Sequence, residues 1–349
     1  MKVAILRDDR QDSSRRWEAS CNKAGVEYSV INMLRSDWLD LIKSFAPEFC
    51  VSRPPDEIQQ SKKNFDEKIY YLEHYTPYSV FPGFLETYIY ENKASLTWFL
   101  KTNDIPHADT FISSAYDESI LFVNNTDYPI VAKTLIGAAG SGVKIINSKS
   151  EAVAYVRRAF TSGIKRRFGP NRKTGTPKKW LLKAIDSPDY FFKKIRQYRE
   201  RNNDSQKKVV LFQEYIPHPY EWRCVKIGES YFAYKKLKIA NQASGSKIFE
   251  YGTPPVELLD FTKELCELHR FNFMALDLFH NDRGIFVNEM QTIFGHKNPY
   301  ICKVNNQPGR YIFQNDQWVF EVGDFNTNES YDLRLQTAID LYTNKCIIL

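Results

Sequence analysis

Two acidic residues in the last quarter of the sequence are spaced so that one β-hairpin would bring them together. Asp282-Arg283-Gly284 suits a three-residue loop with Gly284 in the left-handed conformation. That register places Asp277 directly opposite Glu289, and Gln291 lies on the same face two residues further on. The flanking residues are apolar, so we expect both carboxylates to be buried. Burying facing carboxylates without a partner is costly, so the sequence predicts a cation between them.

The cation has two interpretations. Two acids and an amide offer only oxygen ligands, which suit Mg²⁺ and the substrate phosphates that Mg²⁺ takes up. A neighbouring Lys or Arg that forms a structural salt bridge would satisfy the same carboxylates. The sequence alone leaves both open.

A glycine-rich loop is the second candidate for chemistry. Three of the 15 glycines, Gly137, Gly140 and Gly142, lie close together beside Ser141, with Lys133 at the root of the loop. Small residues let backbone amides approach an anion, and the lysine adds a fixed positive charge. The order of residues matches neither a P-loop, a Rossmann turn nor a nucleophile elbow. A flexible hairpin tip is the alternative interpretation.

Other catalytic arrangements have no support in the sequence. The six cysteines form no CxxC pair, and the six histidines are scattered. His218-x-x-Glu221 has no partner histidine for a zinc site. We therefore expect free, buried thiols in a reducing compartment and no nucleophilic triad.

Composition indicates a globular protein of two or three domains. The chain has 349 residues, 43% of them hydrophobic, and no stretch approaches the length of a membrane span. At the start of the sequence the next charge, Arg7, comes too soon for the apolar region of a signal peptide. We expect a cytoplasmic protein.

The positive charge is concentrated in one segment, residues 157–208, which we call the basic block. It holds 17 Lys and Arg residues against four acids, whereas the whole chain carries only +6. Aromatic residues lie between the cations. The pattern has three interpretations. It fits best a solvated insertion, next a surface that binds an anionic substrate, and least a surface that binds nucleic acid.

The elements that position these residues alternate at first between strand and helix. Strands are predicted at residues 2–6, 26–31 and 49–52, with a helix over 13–24 that ends at Gly25. This alternation indicates a parallel sheet. A long helix is predicted over 84–102, a capped helix after Ser148, and hairpins turning at Gly228-Glu229 and Asn315-Asp316.

A glycine loop, a strand and then a carboxylate hairpin, in this order, resemble the ATP-grasp superfamily over about residues 1–325. Asn92-Lys93 opening a helix and Ile105-Pro106 match its first motif, although Asp104 stands where the family has glycine. Phe212-Gln213-Glu214-Tyr215-Ile216 is similar to its adenine-binding linker. The resemblance implies an α/β (α+β) ATP-grasp fold: an N-terminal parallel α/β domain, a flexible glycine-loop subdomain and a C-terminal mixed-sheet subdomain.

The implied boundaries are 1–92, 93–208 with an insertion over about 165–208, 209–325, and a C-terminal helix over 326–349. The resemblance also implies roles for individual residues. The implied ATP-binding residues are Lys93, Lys133, Gly137, Gly140, Ser141, Gly142, Gln213, Glu214, Tyr215, Ile216 and Glu221. The implied ligands of two Mg²⁺ ions are Asp277, Glu289 and Gln291, the last being more often Asn in the family.

Two basic residues match catalytic positions. Lys236, with Lys235 or Lys238 as alternatives, would contact the γ-phosphate, and Arg223 the phosphates or an acyl phosphate. Substrate contacts are implied for His296 and Lys297 after the carboxylate hairpin. Arg7 and Arg53, at the ends of the first and third strands, are candidates for binding a substrate carboxylate.

The implied activity is an ADP-forming ligase that joins a carboxylate to an amine through an acyl phosphate. Its substrates would be small molecules or carrier-linked groups, and the family allows a homodimer. The alternatives are a phosphotransferase with the same nucleotide site, and a non-catalytic protein that binds ATP, or nucleic acid through the basic block.

Overall fold

The computed structural model describes residues 1–10, 12–137, 142–166, 203–239, 242–243, 249–296 and 298–348, with positions 192, 195–196 and 199–200. Gly140, Ser141, Lys297 and most of the basic block lie outside the described residues. The chain divides into two compact units. The first contains Met1–Pro55, Gln60–His107 and Pro217–Leu349, and the second contains Asp56–Gln59 and Ala108–Ile216. This division groups the predicted N-terminal and C-terminal domains together; the sequence-derived boundaries remain predictions.

A parallel sheet begins the first unit. Its strands are β1 (Lys2–Arg7), β2 (Glu27–Asn32), β3 (Phe49–Arg53) and β4 (Ser79–Phe81), in the order β2-β1-β3-β4. The connecting helices are α1 (Arg15–Ala24), α2 (Trp38–Phe45) and α3 (Gln59–Tyr75). Gly25 ends α1 with a φ of 65°, a conformation that glycine adopts without strain. The predicted parallel α/β arrangement is confirmed.

Two helices replace the single long helix predicted over residues 84–102. They are α4 (Phe84–Ile89) and α5 (Lys93–Thr102). The chain breaks because Glu91 adopts a left-handed conformation with a φ of 51°, which no α-helix continues through. Asn92 then caps α5 by accepting a hydrogen bond from the Ser95 amide at 3.2 Å, so the prediction that Asn92-Lys93 opens a helix is correct.

The second unit is built on an antiparallel sheet in the order β5-β10-β6-β7. Its strands and helices are β5 (Thr110–Ser113), α6 (Tyr116–Asn125), β6 (Ile130–Lys133), β7 (Val143–Ile146), α7 (Lys149–Phe160), β8 (Ile164–Lys165), β9 (Ser205–Gln206) and β10 (Val210–Glu214). The glycine loop joins β6 to β7, as predicted. Ser148 caps α7 by accepting from the Glu151 amide, as predicted, but the Glu151 side chain accepts from the Asn147 amide rather than from that of Ser148, so the reciprocal half of the predicted capping box is absent.

A larger antiparallel sheet completes the first unit, with β16-β15-β11-β12-β18-β17 as its main path. Its elements are β11 (Tyr220–Ile227), β12 (Ser230–Ile239), β13 (Gln242–Ala243), β14 (Phe249–Glu250), α8 (Val256–Leu268), β15 (Phe273–Asn281), β16 (Gly284–Gln291), β17 (Lys303–Val304), β18 (Gln307–Gln314), β19 (Gln317–Val322) and α9 (Tyr331–Ile348). Both predicted hairpin turns occur, since Ile227 pairs with Ser230 and Gln314 with Gln317.

The carboxylate hairpin differs from its prediction in one respect. Asn281 pairs with Gly284, so the turn has two central residues rather than three. A β-bulge between Asp277 and Leu278 then shifts the register by one residue and restores the pairing of Asp277 with Glu289. The predicted alignment of the two carboxylates is therefore correct although the predicted turn is wrong.

Five cysteines are described with their side chains, and all are free and buried: Cys21, Cys50, Cys224, Cys266 and Cys302. Burial raises the pKa of each thiol, to about 12 for Cys224 and about 11 for Cys302, so they are unreactive packing groups at neutral pH. Among the described helices, none is long and apolar enough to cross a membrane.

Candidate active site

Four adjacent strands of the larger sheet place one row of polar residues side by side. Glu289 on β16 is the Cα partner of Asp277 on β15, and Asp277 is in turn the partner of Arg223 on β11. Glu221 lies two residues before Arg223 on the same face and is opposite Lys236 on β12. The period of two along each strand thus gathers residues that are far apart in sequence.

Asp277 is the centre of this row and is only 1% exposed. Arg223 binds it through two hydrogen bonds, from Nε to Oδ1 at 2.7 Å and from Nη2 to Oδ2 at 2.8 Å. Lys236 Nζ lies 2.5 Å from the same Oδ2. Basic side chains therefore satisfy the buried carboxylate, as the salt-bridge interpretation of the sequence proposed.

Lys236 also connects Asp277 to a second buried acid, Glu221. Its Nζ is 2.8 Å from Glu221 Oε2, and the Asn288 side-chain amide donates to Glu221 Oε1 at 3.2 Å. Lys235, one of the two alternatives to Lys236, lies beside Glu250 with 3.4 Å between Nζ and Oε1. Lys236 is thus the lysine that joins the row; the Lys238 side chain lies outside the described residues.

Glu221, Arg223 and Lys236 stay charged at neutral pH. Burial alone would raise the pKa of Glu221, but Lys236 and the neighbouring His218, whose Nε2 lies 3.5 Å from Glu221 Oε1, hold that pKa below its ordinary value. Burial likewise opposes the charge on Lys236 and Arg223, yet the carboxylate of Asp277 raises the pKa of both.

A second set of contacts lies along the Gln291 end of β16. Gln291 Oε1 accepts from Arg223 Nη2 at 3.1 Å, and Gln291 Nε2 donates to Glu91 Oε1 at 3.0 Å. Lys93 Nζ is 3.8 Å from Glu91 Oε2 and 3.7 Å from Glu289 Oε1. The predicted nucleotide lysine therefore lies within ion-pair distance of a predicted metal ligand.

The whole arrangement, which we call the charge cluster, combines four acids with three bases: Glu91, Glu221, Asp277 and Glu289 with Lys93, Arg223 and Lys236. Asn288 and Gln291 add neutral hydrogen-bonding groups. The carboxylates hold three cationic side chains close together. These side chains can therefore bind an incoming anion with little rearrangement.

The carboxylate oxygens of the charge cluster are only partly available as ligands for Mg²⁺. No group of three or more His, Cys, Asp or Glu side chains in the described ranges is arranged as a metal site. Asp277 accepts three hydrogen bonds in this structure, which leaves one of its roughly four lone-pair positions. Glu289 is partly exposed, and its one ion pair among the described residues is with Lys93, so its carboxylate is more accessible to a metal ion than that of Asp277. The donor types suit Mg²⁺, and the ligand roles of Asp277, Glu289 and Gln291 stay predictions.

Two predicted substrate residues have different surroundings. His296 is 2% exposed, and its ring lies 4.9 Å from the rings of both Tyr234 and Phe249. Burial lowers its pKa to about 4, so the imidazole is neutral. Arg53 is half-buried, and its Nη1 donates to Tyr90 Oη at 3.2 Å.

The remaining predicted residues lie elsewhere. Arg7 is the Cα partner of Arg53 at the carboxyl ends of β1 and β3. Lys133, Gly137, Gly142 and Gln213–Ile216 belong to the second unit. Gly142 is required by packing, since an added Cβ would lie 1.8 Å from Thr134 Oγ1. The ATP contacts predicted for these residues stay predictions.

Glu91 and Asn288 were missed by the sequence analysis. Glu91 directly precedes Asn92-Lys93, so its position beside a motif lysine was the available signal. Nothing in the spacing indicated that its left-handed backbone would aim its carboxylate at Gln291.

Comparison with known proteins gives the fold. No protein-family model matches the sequence, and no curated protein matches it. Several solved structures do match. A RimK domain ATP-grasp protein from Sphaerobacter thermophilus gives a TM-score of 0.54 with 16% identity over 83% of this chain and 90% of that chain. D-alanine–D-alanine ligase from Bacillus anthracis gives a TM-score of 0.53 with 14% identity over 99% of both chains. An ADP complex of purK, an N5-carboxyaminoimidazole ribonucleotide synthetase, gives 0.54 with 13% identity over 85% of this chain and 71% of that chain.

These likenesses show that the chain has the ATP-grasp fold. The resemblance drawn from the order of its motifs is confirmed at that level.

Proposed function

We propose that the protein is an ATP- and Mg²⁺-dependent ligase that joins a carboxylate to an amine, with release of ADP and phosphate. The observation that carries the proposal is the position of Asp277, held by Arg223 and Lys236 and directly opposite Glu289. An ATP-grasp fold, three buried or half-buried cations and an accessible carboxylate together suit the transfer of a phosphoryl group to an anionic nucleophile.

The first step activates the carboxylate. A substrate carboxylate oxygen attacks the γ-phosphorus of ATP, the bond from that phosphorus to the β-phosphate oxygen breaks, and acyl phosphate and ADP result. Two anions must approach each other, so cations are the principal requirement. Lys236 and Arg223 offset the charge of the transferring phosphoryl group, and Lys93 offsets the charge that develops on ADP.

The second step forms the amide. The neutral amine attacks the acyl carbon, the carbon–oxygen bond to phosphate breaks, and the amine proton leaves with phosphate as HPO₄²⁻. Arg223 holds the leaving phosphate by the same guanidinium that binds Asp277. No covalent enzyme intermediate is required, which agrees with the lack of a nucleophilic triad in the sequence.

Mg²⁺, held by Glu289 with Asp277 and Gln291, would neutralise phosphate oxygens when it is bound. In the absence of ligand, Lys93 is the cation beside Glu289. The contribution of this chain is to hold Glu289 and Asp277 opposite each other. The pairing of β15 with β16 supplies that geometry.

Trapping the intermediate tests the proposal. The protein with Mg-ATP, a panel of carboxylic acids and hydroxylamine in place of the amine should form a hydroxamate and ADP in equal amounts. Lys236→Met should abolish both, whereas Lys235→Met, at the neighbouring lysine outside the charge cluster, should retain them. ADP without a hydroxamate, together with a phosphorylated product stable to hydroxylamine, would indicate a phosphotransferase instead.

A further inference from the structure

A side chain from the C-terminal end of the basic block holds the root of the glycine loop. Gln206, on β9, is 3% exposed. Its Oε1 accepts a hydrogen bond from the Leu135 amide at 2.6 Å, and its Nε2 donates to the Val209 carbonyl at 3.2 Å. All three residues belong to the second unit. One side-chain amide therefore connects the chain just after Lys133 to the chain just before β10.

This amide bridges a gap in the sheet of the second unit. β6 and β10 are antiparallel, and Phe212 pairs with Ala132. Continued towards the loop, the same register places Val209 opposite Leu135. Instead of a direct hydrogen bond between these two residues, the Gln206 side chain accepts from one and donates to the other. Both backbone groups thus keep a partner where direct pairing of the two strands has ended.

Two contacts inside the loop fix the same region. The Thr134 amide donates to the Gly142 carbonyl at 3.0 Å, and Thr134 Oγ1 donates to the Ile136 carbonyl at 3.1 Å. Thr134 is buried, and it directly follows Lys133, which the sequence predicts to bind ATP. Gln206 extends this fixed region by one residue beyond Thr134.

The segment that carries Gln206 is anchored at the base of the basic block. Gln206 is the Cα partner of Ile164 on β8. Two residues before it, Asp204 Oδ2 accepts from Arg166 Nη2 at 2.6 Å and from the Gln59 amide at 3.1 Å. Arg166 is buried, so this ion pair is screened little by salt. Displacement of Asp204 would therefore move the backbone from which Gln206 reaches the loop.

We propose that Gln206 is a positioning residue for the glycine loop, through which the base of the basic block sets the affinity for ATP. The proposal rests on the proposed function, because it takes this loop as part of the nucleotide site. Gln206 acts on ATP only through the Leu135 amide. Without its side-chain amide, a backbone donor and a backbone acceptor lose their partners. The root would then relax, and ATP would have to order it again on binding, at a cost in affinity.

Calorimetric titration of Mg-ATP into the full chain measures this effect. Gln206→Met removes both hydrogen bonds and keeps the length of the side chain, and we expect it to raise the dissociation constant about tenfold. Gln206→Glu keeps an oxygen that accepts from the Leu135 amide, so it should recover most of that loss. Hydrogen exchange of the Leu135 amide should be faster in Gln206→Met than in the wild type. If Gln206→Met does not fold, Gln206→Asn, whose amide is one methylene too short to bridge both groups, serves in its place.

The matched control for a general loss of stability is Val156→Ala. Val156 is fully buried in α7 of the same unit and lies outside the loop. The control should lower the melting temperature and keep the wild-type affinity for Mg-ATP. An equal loss of affinity in Val156→Ala and Gln206→Met, or an unchanged affinity in Gln206→Met, would overturn the positioning role.

Asp204→Asn tests the connection to the basic block. The substitution weakens the ion pair with Arg166 and lies outside the loop, so it should weaken ATP binding, though less than Gln206→Met does. The two substitutions together should weaken binding no more than Gln206→Met alone, because both act through one contact. Independent effects that multiply, or no effect of Asp204→Asn, would overturn this connection. Absence of Mg-ATP binding by the wild type would overturn the proposed function, and this proposal with it.

Discussion

Gln291 Nε2 donates to Glu91 Oε1 at 3.0 Å while Gln291 Oε1 accepts from Arg223 at 3.1 Å. Arginine only donates hydrogen bonds and an ionised glutamate only accepts them, so the side-chain amide has a single orientation. Glu91 thereby fixes a residue that the sequence predicts to bind metal. It also lies beside Lys93.

Glu91→Gln should slow turnover without unfolding the protein. The new amide offers both a donor and an acceptor to Gln291, so the orientation of Gln291 is no longer unique. Loss of such a supporting contact typically lowers activity about 10- to 100-fold. The measurement is ADP release under saturating substrates. Glu229→Gln, at an exposed turn, is the matched control, and equal rates for both variants would show that Glu91 has no positioning role.

Asp277→Asn should destabilise the fold strongly. The substitution leaves Arg223 and Lys236 buried beside a neutral amide, and removal of one member of a buried charge set costs about 3–5 kcal/mol. Urea unfolding measures the change. In a double-mutant cycle with Arg223→Met, the two substitutions should cost less together than the sum of their separate effects. Strict additivity would mean that the two hydrogen bonds between Arg223 and Asp277 contribute nothing in solution.

His296→Phe should make the protein less sensitive to acid. The folded-state pKa of His296, about 4, lies below the unfolded value of about 6.5. The unfolded chain therefore binds the extra proton first as the pH falls. Stability is lost between about pH 6.5 and pH 4, by at most about 3 kcal/mol.

Phenylalanine fits between Tyr234 and Phe249 and does not titrate, so the variant should lose less stability over that range in urea unfolding. An unchanged pH dependence would contradict the burial of a neutral imidazole. Loss of activity with normal folding would support the sequence-based prediction that His296 contacts substrate.

Gly142→Ala should destabilise the second unit. Its Cβ would lie 1.8 Å from Thr134 Oγ1, and Thr134 is buried and bonded to the Gly142 carbonyl at 3.0 Å. Overpacking of this kind costs about 1–3 kcal/mol. Hydrogen exchange of the β6 and β7 amides measures the local effect. Gly252→Ala, where no atom lies within 4 Å of the added Cβ, should leave exchange unchanged; faster exchange in both variants would contradict the explanation.

The sequence predicted the elements that depend on local patterns. Alternation of apolar residues identified β1 to β3, and turn residues identified both hairpins of the larger sheet. The pairing of Asp277 with Glu289 was correct because a bulge compensated for a shorter turn, which residue types do not determine. The sequence also named Arg223 and Lys236, but as ligands of phosphate rather than as partners of Asp277.

Long-range features were beyond prediction. The approach of Glu91 to Gln291 depends on one left-handed residue and on the packing of α4 against β16. The complete burial of Arg334 depends on α9, which the sequence predicted only as a C-terminal helix. Such contacts join residues that are far apart along the chain, so no local pattern encodes them.

The most direct test of the central claim is calorimetric titration of ATP, with and without Mg²⁺, into the wild type and Glu289→Gln. The wild type should bind ATP at least tenfold more tightly with Mg²⁺, equivalent to about 1.4 kcal/mol, and Glu289→Gln should lose that difference while it still binds free ATP. Absence of ATP binding by the wild type, or an undiminished Mg²⁺ effect in Glu289→Gln, would contradict the assignment of this hairpin to nucleotide and metal binding.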